Sequence, residues 1–486
     1  MSEICVFHYS FLSELKQGLM SWKFIKKALY GKWYTHDKSF LCDITCLCES
    51  LMLLYWLGCL SVEDTGIEAA IEKDPPQLMS VPSWRSTDWG YATGAGRADF
   101  DRDGWVDVVS SYGNDMSQGA IAIYFNHGNG LSTEADWISE REGYYAHLSV
   151  GDVNGDGWSD IVVSRFLGLE RFDSPGGVEV YLNKEGGFLS VPDWEFSGVF
   201  TFSNALGDLD QDGDLDLAVA VGEPYYNEPQ QACVFENDGL GDFGSAPVWM
   251  ADSQHTLDVA WGDRNGDQLM DLLLVNDDAP HLWYDNIEGG LAQEPSWIAP
   301  GDYFEGNSAA LGDIDGDGVL DWVISETAQQ RPSGLIRAWC GGELCFELIG
   351  DSADHFSAIS LVDVDADSDL ELIYGSWWGA LRAHVNEAGV LSEEFFWNSN
   401  SSRMVAEKII WMDSEIEHQR LETWTGTGAK MLNENELVLS IEGGVACSEL
   451  IASSGNWSAE VLIWDYPSLL LTDWEPESGN WLFEQR

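Results

Sequence analysis

The residues with the plainest chemistry are Asp313, Asp315, Asp317 and Asp321, at positions 1, 3, 5 and 9 of a nine-residue window with Gly318 at position 6. Carboxylates at alternate positions of a tight turn face one centre, and a hard divalent cation needs such a ring of roughly six to eight oxygens. Gly318 supplies the left-handed turn, and position 7 can add its backbone carbonyl. Residues 322–325, Trp-Val-Ile-Ser, read as a strand and not as the exiting helix of an EF-hand. The window recurs, starting at Asp99, Asp152, Asp208, Asp263, Asp313, Asp363 and Asp413, at intervals of 50 to 56 residues. A steady period of this size signals a propeller, solenoid or array.

The elements around the window repeat with it. A short strand leads in (residues 147–151), an apolar strand leads out (161–164), an alternating strand follows a variable loop (178–182), and a strand carrying Trp194 closes the unit. Trp84, Trp137, Trp249, Trp297 and Trp397 occupy the equivalent place elsewhere, with Phe346 in the remaining unit. Four short antiparallel strands per unit make a propeller blade, and Gly or Asn at the turns agrees. The expected fold is therefore all-β: a seven-bladed propeller of four-stranded blades over residues 77–486. The first Trp strand, near 77–86, precedes any window, and the chain ends on a third-strand pattern at 479–483. The N-terminal strand is expected to complete the last blade and remove its open edge. In that last unit His418 replaces the glycine, Leu421 replaces the final acid, and the next apolar strand comes only at 469–472. Residues 422–466 are read as a β insertion, and the seventh window is expected to hold no metal.

These windows resemble the FG-GAP/VCBS repeat, whose units carry Asp-x-Asp-x-Asp-Gly-x-x-Asp between blade strands; integrin α-subunits are the best-known relatives. The resemblance runs from about residue 77 to the C-terminus. It implies five to six structural Ca2+ ions in the loops between the first and second strands of the blades, and no particular reaction. Matched by position, the first site would use Asp99, Asp101, Asp103, the Trp105 carbonyl and Asp107. The second would use Asp152, Asn154, Asp156, the Trp158 carbonyl and Asp160. The third would use Asp208, Asp210, Asp212, the Asp214 carbonyl and Asp216. The fourth would use Asp263, Asn265, Asp267, the Leu269 carbonyl and Asp271. The fifth would use Asp313, Asp315, Asp317, the Val319 carbonyl and Asp321. The sixth would use Asp363, Asp365, Asp367, the Asp369 carbonyl and Glu371. Gln268 and Ser368 depart from the position-6 glycine at a cost in turn strain, and Glu371 is longer than the usual Asp.

Composition limits the partners. The 486-residue chain has a formal net charge of −60, which disfavours nucleic acid and anionic membranes, since both are recognised by clustered Lys and Arg. Residues 1–76 differ from the rest: they are Lys-rich, and residues 51–57 form an apolar run followed by Gly58 and Cys59. That order is the order of an export signal, of lipoprotein type at 47–59, with Cys59 as the anchor residue. The run is too short to span a bilayer. Cys340 and Cys345 flank a turn where a hairpin disulfide fits an oxidising compartment.

No phosphate loop, serine-nucleophile elbow or His-Glu-x-x-His motif stands out. The expected function is a secreted or surface-displayed binding module, non-catalytic, for a glycan or protein on the face opposite the calcium loops. Tyr225, Tyr226, Trp377 and Trp378 are the aromatics that break the repeat pattern there and are the candidate ligand contacts. A propeller-type polysaccharide lyase or glycoside hydrolase is the alternative. Only 16 Lys and Arg follow residue 76, which is sparse for holding an anionic sugar.

Overall fold

The computed structural model describes residues 86–87, 91–113, 117–168, 174–224, 228–287, 290–328, 333–350, 354–364, 367–399, 404–405, 408–413, 448–453, 468–471 and 481–484. The chain divides into two units, Met1–Lys73 and Asp74–Arg486. The first unit, with the expected export signal, lies outside the described residues, and so does nearly all of the strand expected at 77–86. Every described regular element is a strand. No described helix is long and apolar enough to cross a membrane.

Each unit is an antiparallel meander whose first two strands flank an acidic window. The first sheet is β1 (Ala92–Ala98), β2 (Asp107–Tyr112), β3 (Ile121–Tyr124) and β4 (Trp137–Ile138). The second is β5 (Tyr144–Gly151), β6 (Asp160–Leu167), β7 (Pro175–Tyr181) and β8 (Trp194–Val199). The third holds seven strands: β9 (Asn204–Gly207), β10 (Asp216–Val219), β11 (Gln230–Phe235), β12 (Trp249–Gly262), β13 (Asp271–Asp277), β14 (Leu282–Tyr284) and β15 (Trp297–Ile298). Next come β16 (Gly306–Gly312), β17 (Asp321–Glu326), β18 (Leu335–Cys340) and β19 (Glu343–Ile349). The fifth sheet is β20 (His355–Val362), β21 (Glu371–Gly379), β22 (Arg382–Asn386) and β23 (Leu391–Asn398), with β24 (Met404–Val405) added to β21. The last is β25 (Lys408–Asp413), β26 (Ser448–Ser453), β27 (Ser468–Leu471) and β28 (Trp481–Glu484). The first strands lie side by side in the order β1, β5, β9, β12, β16, β20, β25 and back to β1, which is a propeller arrangement.

One expectation is corrected. Seven separate four-stranded blades are not what forms: four sheets are discrete four-stranded blades, one is seven-stranded and one carries a fifth strand. The physical reason for the fusion is β12. Its first half pairs with β11 and its second half with β13. No Gly or Pro interrupts residues 250–256, so the extended chain runs on where other units turn. The N-terminal strand expected to complete the last sheet lies almost wholly outside the described residues; the described part of that sheet has four strands. Its second strand, β26, comes from inside the span read as an insertion and pairs parallel to β27.

The middle strands are buried on both faces because each sheet is covered by its neighbours. Val162, Val178 and Val180 meet Leu217, Val219 and Phe235 between the second and third sheets. Trp283, Trp297, Trp322 and Trp339 interlock at the next junction but one, with Trp297 edge-on to Trp322 at 5.0 Å. The outer strands β8 and β19 are covered on one side only and alternate in burial. Cys340 and Cys345 form the expected disulfide, closing the hairpin between β18 and β19 around Gly341 and Gly342.

Candidate metal loops

The windows form tight turns between the first and second strands of their units. The position-1 carboxylate organises each one. Asp313 accepts from the Asp317 N–H at 3.1 Å with Oδ1 and from the Gly318 N–H at 2.8 Å with Oδ2. Asp99, Asp152, Asp263 and Asp363 do the same with the residues four and five positions on. The third loop keeps only the second bond, from Gly213 to Asp208 at 3.2 Å. Position 6 is left-handed throughout, including Gln268 (φ 72°) and Ser368 (φ 76°). The strain expected there is real, since a side chain at such a φ costs more than glycine does.

The position-9 acid has a second task that the sequence reading did not assign. Asp107, Asp160, Asp216, Asp271, Asp321 and Glu371 are at most 1% exposed. One oxygen of each accepts from the position-2 N–H of its own loop, as in Val153 to Asp160 at 3.0 Å. The other accepts from the N–H of a residue at the end of the third strand or just after it: Asn126, Asn183, Asn237, Asn286, Gly341 and Asn386. Four of those asparagines reach back to the preceding unit. Asn183 Nδ2 donates to the Phe100 carbonyl (2.8 Å), Asn237 to Val153 (2.7 Å), Asn286 to Leu209 (2.6 Å) and Asn386 to Ile314 (2.8 Å). Each acceptor is position 2 of the neighbouring loop. Asn126 Nδ2 is buried without a partner among the described residues; the position equivalent to its acceptor is 414, which is not described. The signal was in the sequence as an Asn about 19 to 23 residues after the position-9 acid in the first three units.

Burial pushes the position-9 carboxyls up: to about 8 for Asp107 and Asp160, about 7 for Asp216 and Asp271, and about 6 for Asp321. The N–H donors pull the other way and lose. Burial also raises Asp99, Asp208, Asp263 and Asp315, with repulsion from neighbouring acids adding to it. Bare loops of this kind resist full ionisation, which is the condition a divalent cation relieves.

Several predicted ligands converge. Oxygens of Asp99, Asp101 and Asp107 lie within 4.8 Å of one another, as do those of Asp208, Asp210 and Asp216, and of Asp313, Asp315 and Asp317. Asp315 and Asp321 also come together beside Cys340, whose sulfur is committed to the disulfide. The second and fourth loops carry Asn154 and Asn265 at position 3, each accepting from the position-5 N–H at 2.9 Å. In the sixth loop Asp365 is outside the described residues. The donors are hard oxygens, which suit Ca2+ or a similar ion. His127 was missed: its Nδ1 lies 2.9 Å from Asp103 Oδ2, and that bond raises its pKa. Loops also touch one another, with Arg102 stacked 4.2 Å over Trp158 and Gln211 donating to the Gln268 carbonyl.

Of the candidate ligand contacts, Trp377 is half-buried, and its ring stacks on His355 at 5.7 Å and 24°. Tyr225, Tyr226 and the side chain of Trp378 lie outside what is described. Among aromatics shortly before the windows, Tyr145, Phe200, Phe304 and Phe356 are buried in the core and Tyr303 is exposed.

Residues 99–163, 208–274 and 263–324 match the family model described as an FG-GAP-like repeat. Among curated proteins, integrin alpha-V of Gallus gallus is 31% identical over 208 residues, 38% of this chain and 19% of that protein. Human integrin alpha-7 is 40% identical over 105 residues, 20% of this chain and 9% of the relative. Integrin alpha pat-2 of Caenorhabditis briggsae is 32% identical over 214 residues, covering 39% and 16%. The matches thus span a fifth or less of these relatives. Among solved structures, BBS1N in complex with ARL6DN, soaked with mercury, aligns over 71% of this chain and 91% of its own at 13% identity and a TM-score of 0.45. Over these stretches the chain carries FG-GAP-like repeats and is similar to the corresponding part of integrin α-chains.

Proposed function

We propose that the chain is an extracellular adhesion or recognition module whose acidic loops hold Ca2+ for structural reasons. Its ligand, a glycan or a protein, docks on the face opposite those loops. The observation that carries this reading is the convergence of three carboxylates within 4.8 Å in the first, third and fifth loops, on turns already wound around a position-1 acid. Sites of extracellular type bind calcium at roughly 0.1–1 mM. Such loops fill outside a cell and stay empty in the cytosol. The Cys340–Cys345 disulfide also belongs to an oxidising compartment. Similarity to integrin α-chains supports recognition over catalysis.

Metal analysis of the native protein tests the first half: five to six calcium ions per chain are expected, and none would refute it. Glycan- and protein-array binding, with and without calcium, tests the second half. Binding that is lost in Trp377→Ala supports the assigned face. Release of unsaturated or reducing sugar from polysaccharides would replace recognition with catalysis.

A further inference from the structure

Asparagine followed by glycine occurs three times in the described chain, at Asn129-Gly130, Asn154-Gly155 and Asn265-Gly266. The pair is chemically labile because glycine puts no Cβ in the way of its own nitrogen as it approaches the asparagine Cγ. Two of the three pairs occupy the same place, positions 3 and 4 of an acidic loop. Their asparagines are held alike: Asn154 Oδ1 accepts from the Asp156 N–H and Asn265 Oδ1 from the Asp267 N–H, both at 2.9 Å. Their glycines are not held alike. The Gly266 N–H donates to Asp263 Oδ1 at 2.8 Å. The Gly155 N–H donates to nothing among the described residues; Asp152 Oδ1 accepts from Asp156, where Asp263 Oδ1 accepts from both Gly266 and Asp267. Gly155 is exposed, and the nearest atom to a Cβ built on it is the Gly239 carbonyl oxygen at 3.8 Å.

We propose that Asn154-Gly155 is a self-modification site that resets the charge of the second loop. The Gly155 nitrogen attacks Asn154 Cγ, forming a carbon–nitrogen bond. The Cγ–Nδ2 bond breaks, and the proton from Gly155 leaves with the side-chain nitrogen as ammonia. Water then opens the resulting succinimide. Addition at Cγ restores the main chain and leaves a carboxylate at position 154. Addition at the main-chain carbonyl leaves an isoaspartyl linkage with one extra methylene in the backbone. The first product gives loop two the same four carboxylates as loops one and five. The second moves the position-3 oxygen off the Asp156 N–H and breaks the turn. The loop therefore carries a clock that takes it from a three-carboxylate to a four-carboxylate or an opened form. The modification itself needs only the chain and water; its effect on cation binding rests on the calcium reading above.

The test uses the full-length protein, held at mildly alkaline pH with EGTA and followed by peptide mapping, with the Asn154→Asp variant as the retention standard. The peptide bearing Asn154 should gain about one dalton at a rate near that of Asn129, which is likewise followed by glycine and is exposed. Asn265 should convert at least about tenfold more slowly, the factor set by breaking one charge-assisted hydrogen bond. An Asn154 peptide that stays intact while Asn129 converts overturns the proposal, and so does an Asn265 that keeps pace with Asn154. A parallel arm in millimolar CaCl2 separates the two ideas. Conversion of Asn154 that calcium slows, with Asn129 unaffected, supports both. Conversion indifferent to calcium upholds the modification and removes loop two from the calcium sites.

Discussion

Replacing Asn183 with Ala tests the back-reach between units most directly. Asn183 is fully buried, and its main-chain bond to Asp160 survives the change. Two side-chain bonds do not: Nδ2 to the Phe100 carbonyl at 2.8 Å, and the Gly186 N–H to Oδ1 at 2.9 Å. A buried group stripped of its partner loses about 1–3 kcal/mol. Gly186 can recover part of this from water, so the sum is about 2–4 kcal/mol. With an unfolding entropy of about 2.1 cal/mol/K per residue over roughly 400 residues, the melting temperature should fall by roughly 2–5 °C. Urea unfolding followed by tryptophan fluorescence in saturating calcium gives the free energy, and calorimetry gives the temperature. Asn129→Ala, an exposed asparagine in a turn of the same kind, is the comparator and should stay within about 0.5 kcal/mol. Asn183→Asp keeps an acceptor for Gly186 but sets a carboxylate oxygen against the Phe100 carbonyl, and should be at least as damaging. If the Ala variant stays within about 0.5 kcal/mol of the parent, or the Asp variant matches the parent at neutral pH, the link between units carries no stability and the reasoning fails.

Three other outcomes follow from the same geometry. Asp313→Ala removes the acceptor of three N–H groups and one proposed ligand; metal analysis should show one fewer calcium per chain, and an unchanged count would exclude the fifth loop. In EGTA, stability should fall as pH rises from about 4 to about 8. The sign follows because the position-9 carboxyls titrate at about 6 to 8 when folded and at about 3.9 when unfolded, so the folded chain holds the extra protons. Urea midpoints that rise over that range without calcium would contradict the burial of these acids. Cys340→Ser with Cys345→Ser opens a five-residue separation and should lower stability by about 2 kcal/mol on the loop-entropy account; reductant should then have no further effect on the double variant.

What was legible in the sequence was what a period expresses. The windows, the strands beside them and the position-6 turn all repeat, and the sheets follow them. Fusion at β12 was not legible, because it depends on residues 250–256 containing no turn former, an absence that a search for repeated features passes over. The origin of β26 was hidden for a related reason: a strand from within an interruption can enter a sheet wherever an edge is open, and alternation says nothing of its partner. His127 escaped because a histidine far from the window in sequence becomes its neighbour only when the hairpin between β3 and β4 folds back over the loop. The asparagines were visible at their spacing, but their reach into the preceding unit is a property of packing between sheets.

That reach changes what the acidic loops mean for the fold. In a loop that only bound an ion, the position-9 acid would be free to swing with its occupant. Here both oxygens of Asp160 are already committed, one to Val153 in its own loop and one to Asn183 after the third strand. Asn183 in turn holds position 2 of the loop before it, and Val153 is held by Asn237 of the unit after. A charge placed at the centre of one loop therefore pulls on an acid whose partners lead into both adjacent units. A cation seated in any one loop would stiffen its neighbours as well as itself, and positions 1, 3 and 5 would adapt to the ion while position 9 stays put. Coupling of this kind requires successive calcium ions to bind with positive cooperativity in the intact chain. Asn237→Ala should weaken that cooperativity while leaving every acidic ligand in place; isothermal titration giving the same curve for both proteins would show the loops to be independent.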